Sequence, residues 1–304
     1  MMFLKRSILF ALLFSVGLIA YGQSDIFLTQ QWFSRINMNP AATGNSNTVN
    51  VFLLNRQQWV GFDNAPRTTV LNAHTYFNPI RSGLGLSLFH DKLGVSFQTV
   101  NAMMSYAYHI DLTEEVLLSL GLSGGLFNSN WDPSRNTFSE GYEPEPGTEK
   151  MTRNSVDVNA GFELNIYGYM VGASVTHLLN PSPEKAYTGK AGREYYGYMR
   201  YRAPLNRNFD IAPGVMYRNA NNFHFFDFNL TGYFYKIFWA GVSFRPNNAF
   251  AAMLGGEYRF FRIGYAYDHS VGPVSSLATN SHEVMLSLRI QKRQKGRKST
   301  RFLD

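Results

Sequence analysis

The sequence contains no cysteine, and only 16% of its 304 residues are charged. Without cysteine there is no disulfide, no thiolate metal site and no lipoprotein anchor. Soluble proteins carry charge on about a quarter of their residues, so the composition departs from soluble usage. After Ser24 no hydrophobic run approaches the roughly 18 residues that a membrane-spanning helix needs, which excludes a helical membrane protein.

Recognisable catalytic and metal-binding patterns are also missing. The seven histidines show neither H-x-x-x-H nor H-E-x-x-H spacing. His282 and Glu283 are adjacent, and adjacent strand residues face opposite sides of a sheet, so they do not form an acid–base pair. Nothing in the sequence supports an outer-membrane lipase built on His, Ser and Asn. We therefore expect no enzyme activity, no metal and no cofactor.

The first residues resemble a targeting segment. Lys5 and Arg6 precede an apolar stretch (7–20), and small residues occupy the −1 and −3 positions of a cleavage site after Gly22. The apolar stretch is shorter than the about 20 residues needed to span a bilayer. We predict a signal peptide over residues 1–22.

The basic excess of the remaining chain lies in its tail. The segment 291–304 contains six Lys and Arg residues and one Asp. Long-range attraction to acidic partner surfaces or to cell-wall polymer is one interpretation of this tail, and a solvated tail is the other. Because there is no basic helix, we expect no nucleic-acid partner.

Period-two alternation of apolar and polar residues dominates what is present. In 156–166 and 261–268 apolar or aromatic residues alternate with Gly, Asn, Ala and charged residues. These segments run over about 9–14 residues, whereas soluble strands average about 5–6 and tilted membrane strands need about 9–11. Tyr and Phe cluster at the segment ends, as in aromatic girdles. The pattern predicts an all-β protein, a transmembrane antiparallel up-and-down β-barrel of about 14 strands in the outer membrane and its lipid bilayer.

We place the barrel at 48–290 and a pre-barrel segment at 23–47, which is either a periplasmic or plug-like segment or a simple lead-in strand. The predicted strands are 48–59, 67–77, 83–90, 97–110, 115–127, 154–166, 168–177, 194–203, 208–218, 222–235, 237–245, 249–258, 260–269 and 281–290. With both barrel ends in the periplasm, every long connection falls on the outer side, as bacterial barrels require.

Strand parity also predicts charged side chains inside the barrel. The network includes Glu163, Arg218, Arg245, Glu257, Arg262, Asp268, Glu283 and Arg289. Its acids and bases nearly balance, so we expect ion pairs, with Arg donating to carboxylates. The network is either structural filling or a polar lumen that selects cargo.

Candidate partner-binding residues lie at the end of a predicted strand or outside the strands. Aromatic and turn residues suit contacts with proteins, but a girdle anchor, a turn or loop decoration explains them as well. The candidates are Trp59, Gly61, Phe62 and Pro66 in the first outer loop, Trp131 and Tyr142 in the long loop 128–153, and Asn39 and Pro40 in the pre-barrel segment.

Several of these stretches resemble one family. The matching residues are 39–41, 56–66, 83–87 with 91–94, 177–179, 262–268 and 281–286. The strongest are the W-V-G-F-x-x-A-P run from Trp59 and the S-H-E run from Ser281. Together they resemble the PorP/SprF family of the type IX secretion and gliding-motility system over nearly the whole mature chain. The end 299–303 departs from the Ser-Pro-Arg-Tyr-Phe-like close that is frequent in that family.

The resemblance implies a non-enzymatic outer-membrane component. Its partners would be other type IX secretion components and a secreted cargo, often an adhesin, with a C-terminal sorting domain, whose export or surface attachment it assists. An outer-membrane pore or small-solute transporter is the alternative function.

Overall fold

The computed structural model describes residues 27–132, 134, 150–180, 192–220, 223–271 and 280–292. The predicted signal peptide, Tyr142 and nearly all of the basic tail lie outside these residues. Two short 3₁₀ helices, Gln31–Phe33 and Pro40–Ala42, precede the first strand, and a third, Asn78–Ile80, follows the second. Within the described part of the chain, no helix is long and apolar enough to cross a membrane.

Antiparallel strands form one closed sheet. They are β1 (Thr48–Gln57), β2 (Arg67–Phe77), β3 (Ser82–Leu93), β4 (Phe97–Asp111), β5 (Val116–Trp131), β6 (Met151–Ile166), β7 (Tyr169–Thr176), β8 (Glu194–Tyr201), β9 (Ala203–Pro204), β10 (Phe209–Ala220), β11 (Phe223–Phe234), β12 (Phe238–Arg245), β13 (Ala249–Tyr258), β14 (Phe261–Ser270) and β15 (Asn280–Gln291). The two-residue β9 continues β8 beside β10, so the barrel has fourteen strand positions. The fourteen-strand prediction is confirmed.

The barrel closes where β1 pairs with β15, with Thr48 opposite Gln291 and Gln57 opposite His282. Every strand position therefore has two hydrogen-bonded neighbours. A closed sheet satisfies its backbone groups internally, which is what a spanning structure needs in lipid.

Side chains alternate between the two faces of this wall. On β3, Leu84, Leu86 and Leu88 point outward and are exposed, whereas Ser87 faces the interior and is buried. The same pattern recurs around the barrel and leaves large apolar side chains on its outer surface. Lipid is the solvent that accommodates such a surface.

The connections differ in length at the two ends. Those at one end, here called the turn end, are short: 78–81, 112–115, 167–168, 205–208, 235–237 and 259–260. Tyr235 and Lys236 both have positive φ, 51° and 57°, as a tight hairpin turn requires. The other end, the loop end, carries the long connections 132–150, 177–193 and 271–279. Long loops face outward in outer-membrane barrels.

Residues 27–47, the N-terminal segment, lie inside the barrel. Nearly all of their side chains are buried, including Phe27, Trp32, Met38 and Asn39. Both early 3₁₀ helices belong to this segment, which ends at the turn end where β1 begins. The lumen is thus occupied by the chain's own N-terminal residues.

Candidate functional site

The backbone of the N-terminal segment lies directly against glycines of the barrel wall. A Cβ atom at Gly121 would overlap with the backbone nitrogen of Ala41, and one at Gly83 would overlap with the carbonyl of Thr43. At Gly161 and Gly264 a Cβ would instead overlap with side-chain oxygens of the segment, those of Asn39 and Gln30. Because glycine has no side chain, Gly83 and Gly121 allow a second backbone to pack closely against the strand, and Gly161 and Gly264 leave room for a segment side chain.

Five charged side chains form a cluster near the loop end. The Arg245 guanidinium binds Asp227 and Asp268, each at 3.0 Å. Arg56 binds the same Asp268 at 2.6 Å and Glu283 at 3.4 Å. All five are buried, so each charge depends on the others for compensation.

The N-terminal segment enters this cluster through Thr29 and Gln30. The Glu283 carboxylate accepts the backbone N–H of Thr29 at 3.0 Å and that of Gln30 at 2.7 Å. The Thr29 hydroxyl donates to Asp268 at 2.7 Å and accepts from Arg245 at 2.8 Å. The wall cluster therefore recognises the segment by its backbone as well as by a side chain.

The charge cluster is the first anchor of the segment, and a second anchor lies farther along the segment. Arg35 binds Glu163 at 3.1 Å, and the Tyr198 hydroxyl donates to the same carboxylate at 2.6 Å. The Asn39 side chain donates to the Tyr198 oxygen at 2.9 Å, and Trp32 packs edge-on against the Tyr198 ring. Charge-assisted bonds to one buried carboxylate thus hold the middle of the segment in the lumen.

Two histidines hold the last part of the segment at the turn end. His109 Nε2 lies 2.9 Å from the Thr43 carbonyl oxygen, and the Gly44 N–H donates to His74 Nδ1 at 3.0 Å. His109 Nδ1 in turn contacts Ser119 at 2.7 Å. Since both histidines contact backbone groups, this anchor also fixes the path of the chain.

The structure places the eight predicted network residues in separate groups. Three of them, Arg245, Asp268 and Glu283, belong to the cluster of five charged side chains near the loop end. Glu163 belongs to the second anchor, where it binds Arg35. Arg218 binds Glu194 at 2.6 Å at the loop end. At the turn end Glu257 binds Arg262 at 2.8 Å and Arg289 at 3.3 Å.

Sequence reasoning did not predict Arg35 and Arg56, two charged residues of these anchors. Arg35 belongs to a segment without alternation, so no parity could be assigned to it. Arg56 does lie on the inner face of β1, but that face also carries the buried Phe52 and Leu54. Because apolar residues share the inner face of β1 with Arg56, the alternation did not indicate that this arginine points inward.

A further pair lies just beyond β7 at the loop end. His177 Nδ1 contacts Asp157 Oδ2 at 2.6 Å. Burial alone would lower the pKa of His177, but the hydrogen bond to Asp157 and the charge of Glu194 outweigh burial and raise the pKa. In the part of the chain that the structure covers, no group of three His, Cys, Asp or Glu side chains is arranged to hold a metal ion.

The first outer loop, 58–66, is fixed to the barrel and displays apolar side chains. The Val60 N–H donates to the Asn280 carbonyl at 2.9 Å, and Gln58 N–H donates to the Pro66 carbonyl at 3.0 Å. Val60 is exposed, and the Phe62 side chain is 57% exposed.

Most of the other predicted contact residues are less accessible. In this loop Trp59 is half-buried and Pro66 is buried, whereas Gly61 is exposed at a φ of 102°. Trp131 is half-buried at the end of β5. Asn39 and Pro40 are buried in the lumen, so a partner could reach them only after the segment moved. A role of these residues in partner binding stays a prediction.

Replacing a wall glycine tests how the segment is seated. Gly121→Leu should leave a folded barrel but expel the segment from the wall, because its Cβ would overlap with Ala41. We expect the amide hydrogen exchange of Asn39 and of residues 41–43 to become at least about tenfold faster, as local opening predicts. Gly124→Leu, three residues along β5, is the matched control, since only a single atom lies near its Cβ, at 4.0 Å. Equal amide hydrogen exchange of the segment in the two variants would contradict its packing against Gly121.

Comparison with known proteins shows both the fold and the family. Among solved structures, the toluene transporter TbuX of Ralstonia pickettii has a TM-score of 0.53 and 10% identity, covering 83% of this chain and 92% of that one. Omp33 of Acinetobacter baumannii has a TM-score of 0.48 and 8% identity, covering 80% and 99%. At 10% identity, the similarity to TbuX shows the barrel fold alone. No curated protein matches the sequence.

A family profile described as type IX secretion system membrane protein PorP/SprF matches residues 20–288. Together with the closed barrel and its apolar outer surface, this match places the protein in the outer membrane, as predicted. Because the match extends over most of the sequence, the chain belongs to the PorP/SprF family of type IX secretion system membrane proteins.

Proposed function

We propose that this protein is a non-enzymatic accessory of type IX secretion that assists the export or surface attachment of cargo with a C-terminal sorting domain. Family membership over residues 20–288 carries the proposal. The protein acts through contacts at its two ends: the loop end binds cargo, and the turn end meets other components of the secretion system.

The occupied lumen supports this function over the alternative of a passive pore or small-solute transporter. Buried side chains of the N-terminal segment pack on opposite walls, with Arg35 bound to Glu163 and Thr29 bound to Asp268. A solute path through the middle of the barrel would require the segment to leave these anchors. Protein contacts at the ends require no such movement.

Loop 58–66 supports a docking role at the loop end. Aromatic side chains, including Phe, are enriched at protein interfaces. Phe62 is exposed with Val60 beside it, and the backbone bonds to Asn280 and Pro66 fix the loop. A fixed loop loses little conformational entropy on binding.

A double substitution in this loop tests the function in cells. Val60→Ser with Phe62→Ser should leave the amount of barrel in the outer membrane unchanged. We expect one cell-surface protein to fall at least about tenfold, which corresponds to about 1.4 kcal/mol of lost binding free energy. The measurement is mass spectrometry of peptides shaved from intact cells, together with affinity capture of the detergent-solubilised barrel.

Leu112→Ser is the matched control, because Leu112 is 56% exposed but lies in a turn-end connection. It should keep the cargo at the cell surface. Deletion of the whole protein separates the two functions. Loss of a surface protein with unchanged permeability supports the accessory function, whereas changed permeability with normal surface proteins supports the pore.

A further inference from the structure

A row of outward-facing polar side chains crosses the barrel wall near the loop end. It is called the polar row here. The register of β14, β15, β1, β2, β3 and β4 places its members side by side: Tyr267, His282, Gln57, Arg67, Lys92 and Gln98. Each of them lies on the outer face of its strand, as Arg67 does with the exposed Leu71 on β2.

The polar row lies at the level of lipid headgroups. The next row towards the turn end contains Thr69 and His90, and the row after that begins the apolar band with Leu71 and Leu88. Successive rows on one face are about 6.6 Å apart along a strand, and a strand tilt of about 40° reduces this to about 5 Å of height. Headgroups occupy roughly 5–8 Å beyond the hydrocarbon core, so the polar row lies among them.

Arg67 and Lys92 are the two cations of the polar row, and they lie directly opposite each other on β2 and β3. Both are exposed, and neither side chain has an ion pair or a hydrogen bond among the residues that the structure describes. Neither the polar row nor the row of Thr69 and His90 contains a carboxylate. Like charges directly opposite each other destabilise a sheet, so an anion bound between these two cations would stabilise the wall.

The polar neighbours of the two cations pair with each other. Gln98 Nε2 lies 2.8 Å from His90 Nε2, and the Asn55 side chain donates to the Thr69 hydroxyl at 2.9 Å. These side chains are therefore occupied, whereas the two cations keep all of their side-chain donors for a ligand. The charge of the pair indicates that this ligand is an anion.

We propose that Arg67 and Lys92 bind a phosphate group of lipid A, the phosphorylated glycolipid of the outer leaflet. The Arg67 guanidinium donates to two phosphate oxygens at once, and the Lys92 ammonium adds a point charge. Leu71 and Leu88 follow on the same two strands, and Leu53 adjoins Leu71 on β1. The acyl chains of the same lipid molecule lie against these leucines while its phosphate is held above them.

This site does not rest on the accessory function. It depends on the position of the barrel in the outer membrane and on the loop end facing outward, since lipid A occupies the outer leaflet. A lipid bound here covers the outer wall beside loop 58–66 and leaves the lumen and its segment unchanged.

Binding of diphosphorylated lipid A to the detergent-solubilised protein, measured by native mass spectrometry, tests the proposal. Arg67→Gln with Lys92→Gln should weaken this binding at least about tenfold, because charge-assisted hydrogen bonds to the phosphate are lost. Both side chains are exposed, so the variant should fold, which heat-dependent gel mobility verifies.

Arg207→Gln with Lys236→Gln is the matched control, because it removes the same two charges from exposed positions in turn-end connections. This control should bind lipid A as the unsubstituted protein does. Equal weakening in both double variants would make net charge the cause and overturn the site, as would full binding by the variant of Arg67 and Lys92.

The chemistry of the ligand is tested on the unsubstituted protein. Lipid A without its phosphate groups should bind at least about tenfold more weakly than the diphosphorylated form. Equal binding of the two forms would show that acyl chains alone are recognised, contrary to the proposal. An excess of inorganic phosphate should not displace lipid A, and displacement would indicate a general phosphate site in place of a lipid site.

Discussion

Deleting residues 27–46 is expected to open the lumen, so that a barrel that does not conduct ions becomes a conducting one. The segment occupies the lumen with nearly all of its side chains buried, and its backbone lies against the wall at Gly83 and Gly121. After deletion the charged side chains of the wall would line a water-filled channel, where hydration replaces the lost partners. In planar bilayers we expect no current steps for the complete protein and discrete steps for the deletion variant.

A cross-linked variant is the control for this experiment. Asn37 and Ser87 lie on the segment and the wall with their side-chain oxygens 2.5 Å apart, so cysteines at both positions can be joined by a short bifunctional reagent. The cross-linked protein should remain closed under voltage. A deletion variant that folds, shown by its heat-dependent gel mobility, and yet stays closed would show that other parts of the barrel block the lumen.

Arg245→Ala is expected to be the most damaging single substitution in the barrel. It leaves Asp227 without its arginine and removes one of two arginines from Asp268. Breaking a buried ion pair by removing one partner costs about 3–5 kcal/mol, because the remaining charge stays uncompensated. Urea unfolding in lipid vesicles, followed by tryptophan fluorescence, measures this loss in the free energy of unfolding.

Two further variants decide whether charge causes the loss. Arg259→Ala, an exposed residue of a turn-end connection, should change the free energy of unfolding by less than about 0.5 kcal/mol. Adding Asp227→Asn to Arg245→Ala should restore part of the stability, because it removes the unpaired carboxylate. If the double variant is no more stable than Arg245→Ala alone, lost packing rather than charge is responsible.

The strands were predictable because lipid imposes a strict pattern on the outer face. Strand β2 has the bounds that alternation predicts, 67–77. The hairpin of β5 and β6 extends farther than predicted, to Trp131 opposite Met151. The three pairs before this last one are polar on both faces: Asn128 with Asn154, Ser129 with Arg153, and Asn130 with Thr152. Outside the bilayer no apolar face is required, so the alternation ends before the hydrogen-bonded ladder does.

The interior of the barrel was less predictable, because it depends on what fills it. Alternation indicates that Glu283 points inward, but its partners include the backbone N–H groups of Thr29 and Gln30. A pattern of side chains does not indicate which backbone N–H groups donate to a carboxylate. The buried Leu54 on the inner face of β1 packs in an apolar cluster with Leu28 of the segment. That face is apolar only because the segment covers it.

The charge cluster also joins the first strand to be synthesised to the last two. Arg56 belongs to the first strand, and both of its carboxylate partners, Asp268 and Glu283, belong to the last two strands to leave the ribosome. A chain that ended before β14 would contain the Arg56 guanidinium without either carboxylate, and it would also lack the strand that closes the barrel. The buried charge of the first strand is therefore compensated only after the last two strands have been synthesised.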